Sequence, residues 1–242
     1  MRTGLVLSCL LLLVTAVFAK DLVVRQRSSS GFGGGSSSDE TVYITGDKII
    51  TDSPPVRTIV DLDKKNMTSI DKAQKTYAVI TFDELRQQMD MLRQSLDSMP
   101  PDARKQMAAL FDDSHPVVIK ETGKTETIAG HMAKEQTLSG GPYSGYVWTT
   151  DEIETPAAFT KWKSLEGMRG GAARRLGEAM EKLKGFPVRT KIDMKTGGQP
   201  ISLTNEVLEV KEGTPPKDVL TVPPSYAKAA PRGMPGPPPP AR

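Results

Sequence analysis

Between Arg57 and Met99 the sequence runs through two or three short strand-like segments straight into one strongly amphipathic helix, and this order limits the fold more than any other feature. Phe82, Leu85, Met89, Leu92, Leu96 and Met99 recur at alternating steps of three and four, which places them on one helical face. Thr81 followed by Glu84 is a capping-box pattern, and Asp83 and Glu84 put negative charge at the positive end of the helix dipole. Pro100 and Pro101 end the helix because neither can donate the next backbone hydrogen bond. A helix with so much apolar surface needs a sheet to cover.

The rest of the chain supplies strands. Leu22, Val23 and Val24 lie in a first short strand, Asp21 to Arg27. Ser28 to Ser38, almost all Ser and Gly, reads as a flexible linker or long mobile loop, because it has too little apolar surface to order itself. Thr41 to Ile50 is a hairpin turning at Gly46-Asp47, and Arg57–Leu62, Met67–Ile70 and Thr76–Ile80 continue an up-and-down antiparallel meander. A short helix is expected over Asp102–Phe111. Strands follow at Val117–Lys120, Thr125–Ile128, Met132–Leu138 and Gly145–Thr150, with turns at Gly123-Lys124, Gly130 and Gly140-Gly141. Thr155 to Lys184 is helical, interrupted near Gly170-Gly171 and stopped by Gly185. Phe186 to Lys195 alternates cleanly: Phe186, Val188, Thr190, Ile192 and Met194 face one way, with charged residues opposite. Gly197-Gly198 turns the chain into Ile201–Lys211, whose phase slips around Asn205–Leu208 and so predicts a bulge. The residues from 227 to 242, rich in proline, read as a disordered tail.

Residues 1–19 have the form of a secretory signal peptide: Arg2, an apolar run from Leu5 to Val14, and Val17-Phe18-Ala19 at the cleavage position. That run is shorter than the ~20 residues a spanning helix needs, so no stable membrane span is expected after cleavage. Cys9, the only cysteine, lies inside it, so the mature chain has no disulfide. The sequence therefore describes an exported protein, periplasmic or secreted, with one domain over residues 41–226. Lysine and arginine are scattered among acidic residues at a net charge of +3, which argues against a nucleic-acid face.

Several stretches, taken in order, resemble a family of exported bacterial domains of unknown function within the LolA-like superfamily. They are Tyr43–Lys48, Ile59–Lys65, Thr76-Tyr77 before the Thr81 helix, Glu121–Lys124 through Ile128–His131, Phe186–Thr190, and Val222–Tyr226. His131-Met132-Ala133 stands where that family's pattern would carry an aromatic residue and often a cysteine. The resemblance implies an α+β fold: a long curved antiparallel β-sheet, or half-barrel, with helices packed on its concave face. In better-known members of the superfamily that concavity receives acyl chains.

Two readings of function follow. The first is a non-enzymatic carrier or sensor of a lipid, a lipid-modified protein or another apolar ligand, acting as a monomer in the cell envelope. Its candidate lining is Leu85, Met89, Leu92 and Leu96 on the helix, with Val188, Ile192 and Met194 on the strand. The same residues would serve equally to pack a solid core. The second is an envelope protein-interaction module with no small ligand. Catalysis is the weakest reading. His115 and His131 are the only histidines, neither has a metal-type partner at close spacing, and no nucleophile-elbow pattern is present. Asp112-Asp113-Ser114-His115 reads as a helix-ending loop, and Asp151-Glu152 with Glu154 as a solvated acidic turn. No cofactor or metal is expected.

Overall fold

The computed structural model describes residues 20–31, 36–101, 104, 111–112, 114–166, 171–195 and 201–231. The signal-peptide reading, most of the expected Asp102–Phe111 helix, the Gly197-Gly198 turn and the tail beyond Pro231 lie outside these residues.

Six strands lead the chain: β1 (Leu22–Ser30), β2 (Ser36–Ile44), β3 (Lys48–Ser53), β4 (Val56–Asp61), β5 (Asn66–Asp71) and β6 (Thr76–Thr81). They form the expected meander, each antiparallel to the next. Helix α1 (Phe82–Ser95) follows. The second half gives β7 (Val118–Ile128), β8 (His131–Gly140), β9 (Tyr143–Thr150), helices α2 (Ala157–Glu166) and α3 (Gly171–Glu181), then β10 (Phe186–Met194), β11 (Ile201–Glu212) and the short β12 (Ala227–Lys228). All join one 12-stranded sheet in the order β12-β6-β5-β4-β3-β2-β1-β11-β10-β9-β8-β7. The two meanders are fused by the antiparallel pairing of β1 with β11. The sheet is antiparallel except for β12, which runs parallel to β6.

Two local expectations are corrected. The Ser-rich stretch is not a linker among its described residues: Ser28, Ser29 and Ser30 pair with Ser38, Ser37 and Ser36 as the end of the β1–β2 hairpin. Ladder hydrogen bonds join these residues, and next to them Arg27 donates to Asp39 at 2.7 Å and the Gln26 amide to Glu40 at 2.7 Å. β1 lies between β2 and β11, so Leu22–Ser30 is part of the same sheet as the strands that follow Thr41. Gly123-Lys124, read as a turn, instead falls within a register shift of the continuous strand β7. The slip expected at Asn205–Leu208 is found, since Gln26 pairs with Val207 and Arg25 with Glu209, which leaves Leu208 unpaired.

The main core joins both meanders. Leu22, Val24, Ile44, Ile49 and Val60 share one buried cluster with Ala133, Trp148, Phe186, Val188 and Ala158 of α2. From the middle of this cluster α2 reaches in two directions: Phe159 packs on Phe186 of β10, while Lys161 pairs with Asp63 after β4 at 3.7 Å. Five strand intervals separate β10 from β4, about 24 Å in a flat sheet, and the sheet curves around a helix only about 15 Å long. Elsewhere Ile50, Ile59 and Ile70 are buried under Leu220, Val222 and Tyr226, so the segment before β12 straps part of the sheet. Arg57 anchors that strap, donating to the Asp218 carbonyl at 2.8 Å and to Asp52 at 2.8 Å.

The quoted motifs around Asp47 and Asp61 have a structural role. The Asp61 carboxylate, 6% exposed, accepts from the Lys64 N–H at 2.9 Å and lies 3.6 Å from Lys48 and 3.2 Å from Lys64. Burial alone would raise its pKa, but these donors outweigh burial and hold the carboxyl below its ordinary value.

Candidate functional site

The alternation in β10 sets out one wall of a cavity. Thr190 pairs with Asn205 and Ile192 with Leu203, so these side chains share a face across β10 and β11. Gly145 of β9 stands opposite Ile192. A Cβ at Gly145 would lie 2.0 Å from the Lys191 carbonyl oxygen, so only glycine permits the strands to approach so closely there. Across from this wall, Leu176 and Met180 of α3 pack against Tyr143 and Val147, and Phe159 of α2 stacks with Phe186. The space between sheet and helices is about 400 Å³, lined mainly by Phe159, Leu176, Met180, Val188, Ile192 and Met194. Leu203 also lines it and is 45% exposed, which marks the mouth. Such an apolar, partly open space accepts hydrocarbon.

Of the candidate lining, Val188, Ile192 and Met194 are thus brought together, with Val188 fully buried. The four helix candidates are placed elsewhere. Leu85 joins Gln88 in a second groove of about 530 Å³, against Met67 and Ile80 of the sheet and Ala229–Pro231. Met89 and Leu92 on α1 and Leu96 at its C-cap are half-buried and line neither space. No α1 residue is buried, although the capping box forms as expected, with the Glu84 N–H donating to Thr81 Oγ1 at 3.1 Å and the Thr81 N–H to Glu84 Oε2 at 2.7 Å. The residues that sequence reasoning missed are Phe159, Leu176 and Met180. Their apolar spacing was visible, but not which helix would roof β10.

The rim is polar. Gln26, Thr190 and Asn205 are among the lining residues, and Arg189 touches the space from the opposite face of β10. Arg189 Nε donates to Glu206 at 2.8 Å and Nη1 to Glu126 at 2.9 Å, so one guanidinium is matched by two carboxylates. The bond to Glu126, then that to Glu206 against the opposing effect of burial, raises the arginine pKa further.

The other polar clusters are local. Ser114 Oγ donates to Asp112 Oδ1 at 2.6 Å, and His115 Nδ1 lies 2.8 Å from the same hydroxyl. The carboxylate thus binds serine directly instead of orienting the far side of the imidazole, and both Asp112 and His115 are exposed. His131 Nδ1 lies 3.2 Å from Glu152, and Lys134 lies 2.9 Å from Asp151. Among the described residues, no group of three or more His, Cys, Asp or Glu is arranged to hold a metal ion. Nor is any helix among them long and apolar enough to cross a membrane.

The family model described as Domain of unknown function (DUF4412) matches residues 95–226. The chain belongs to this family. The matched span holds α2, α3 and β7 to β11, hence every cavity residue named above except Gln26. It also contains the resembling stretches Glu121–His131, Phe186–Thr190 and Val222–Tyr226, whereas Tyr43–Lys48 and Ile59–Lys65 precede it. Among curated proteins none matches this DUF4412 chain.

Solved structures similar to it include PNGF-II in the C2 space group, at 11% identity and a TM-score of 0.39, covering 88% of this chain and 31% of that one. MucB is similar at 12% identity and a TM-score of 0.36, over 86% of this chain and 59% of its own. A LolA superfamily protein, NE2245 from Nitrosomonas europaea, is similar at 8% identity and a TM-score of 0.30, over 84% and 90%. The chain spans about a third of the PNGF-II chain and under two thirds of MucB. The architecture described above stands on this chain's own strand pairings.

Proposed function

We propose that this DUF4412 protein is an exported, non-enzymatic binding protein that takes a lipid-like or otherwise apolar ligand between α2–α3 and the β9–β10–β11 face of its sheet. The observation that carries this reading is the cavity itself. Phe159, Leu176, Met180, Ile192 and Met194 surround about 400 Å³ that opens at Leu203 and is not filled by side chains. An apolar void of this size is costly to leave empty, and methionine side chains adapt to a variable guest. The leader-like residues 1–19 would deliver the protein to the cell envelope.

Native mass spectrometry on mature protein, gently purified from the exported fraction and then solvent-extracted, tests the reading. A reproducible added mass that extracts as lipid is expected. A bare chain mass, together with no uptake of an apolar fluorescent probe, would refute the carrier and leave a protein-interaction module as the account to pursue.

A further inference from the structure

Taking the apolar cavity as a ligand site, we infer that it selects a single-chain amphiphile with an uncharged, hydrogen-bonding head over one of equal chain length with an anionic head. The volume, about 400 Å³, lies near the lower end of ligand pockets, roughly 300–1,000 Å³, and accommodates one chain rather than a pair. Its polar rim offers Thr190, Asn205 and Gln26. Thr190 and Asn205 are cross-strand partners, so their hydroxyl and amide stand side by side on the face that lines the cavity.

Charge at that rim runs against an anion. The Glu40 carboxylate lies directly behind Gln26, accepting from its amide at 2.7 Å and also from the Ser28 hydroxyl. Arg189 is the one cation touching the cavity among the described residues, but its side chain leaves β10 on the face opposite Thr190, the side on which it pairs with Glu206 of β11. Glu206 and Glu126 engage it there, at 2.8 and 2.9 Å, so it presents no free charge to a head group in the cavity. Arg174 and Arg175 of α3 are held by Glu178 at 2.6 and 3.0 Å, and neither lines the cavity. An anionic head would therefore give up its hydration beside the Glu40 carboxylate and meet no free cation in exchange. A hydroxyl or amide head would exchange water for hydrogen bonds with Thr190 and Asn205.

The test is isothermal titration of the mature protein with monomyristoylglycerol and with myristate at pH 8, each below its aggregation limit, with an apolar anthracene probe as a third ligand. The glycerol ester is expected to bind at least about tenfold more tightly than myristate. Asn205→Leu should narrow that gap by weakening the ester alone, and Glu40→Gln should bring myristate towards parity by removing the negative charge beside Gln26. Equal or tighter binding of myristate overturns the inference but leaves the apolar site standing. So does binding of the probe with neither lipid. Failure of all three ligands overturns the cavity reading itself.

Discussion

Phe159 of α2 and Phe186 of β10 meet with ring centroids 5.5 Å apart and planes tilted by 38°. This contact fastens the roof of the cavity to its wall, because Phe159 also lines the space that Val188 and Ile192 bound. Phe186 is almost wholly buried, so Phe186→Ala removes both its own burial and the aromatic pair. The expected loss is about 3–4 kcal/mol in urea unfolding. Phe159→Ala, at a half-buried position, should cost about 1–2 kcal/mol and lower apolar-probe affinity more than stability.

Gly145 makes a sharper prediction about the same wall. An added methyl would sit 2.0 Å from the Lys191 carbonyl oxygen, and backbone has little room to yield. Gly145→Ala should therefore destabilise by about 3 kcal/mol or more, or abolish folding. Gly213→Ala, where a Cβ would meet nothing within 4 Å, is the control and should be close to neutral in thermal melts.

Acid should loosen the first meander through Asp52 and Asp61. Burial pushes both carboxyls up, but hydrogen bonds and charge from Lys72 and Arg57 at Asp52, and from Lys64 and Lys48 at Asp61, leave both pKa values below the ordinary one. Groups whose pKa is lower folded than unfolded add stability above the unfolded value, near 4, and lose it as pH falls through the folded value. Unfolding free energy should hold steady on this account between about pH 5 and 7 and fall below about pH 4. Asp61→Asn should flatten that fall and cost about 2–3 kcal/mol at neutral pH. Stability that rises on acidification would contradict the assignment.

The two grooves separate by mutation. Ile192→Asp puts a charge into the cavity under α3, whereas Leu85→Asp puts one into the space beside α1. Probe titration should show at least about a tenfold loss for the first and near-native affinity for the second, with circular dichroism confirming that both variants fold. The reverse pattern would move the site to α1.

Much of this fold could be read from patterning. The Thr81–Glu84 capping box, the Gly46-Asp47 turn, the alternation of Thr190 to Met194 and the slip near Leu208 are all local signals, and each has a local structural counterpart, whereas the alternation before Thr190 is broken by a register shift between Pro187 and Arg189. What stayed hidden depends on long-range pairing. Ser28–Ser30 and Ser36–Ser38 have no hydrophobic pattern to reveal a strand, and they join the sheet through the pairing of β1 with β2 and β11. The sequence also cannot say which amphipathic helix covers which part of a sheet. The stripe from Phe82 to Met99 is longer than the apolar side of α3, yet α1 remains half-buried at the far end, while Leu176 and Met180 roof β10. Hence the strand half of the candidate site was legible and its helical half was not.

The central claim is that an apolar chain lies between α3 and β10, and paramagnetic NMR tests it most directly. A doxyl-labelled fatty alcohol would be titrated into protein with labelled methyl groups. The account predicts selective broadening of Val188, Ile192, Met194, Leu176 and Met180, relieved when the label is reduced. Broadening confined to Leu85 and Ile80, or no saturable broadening at all, would contradict it.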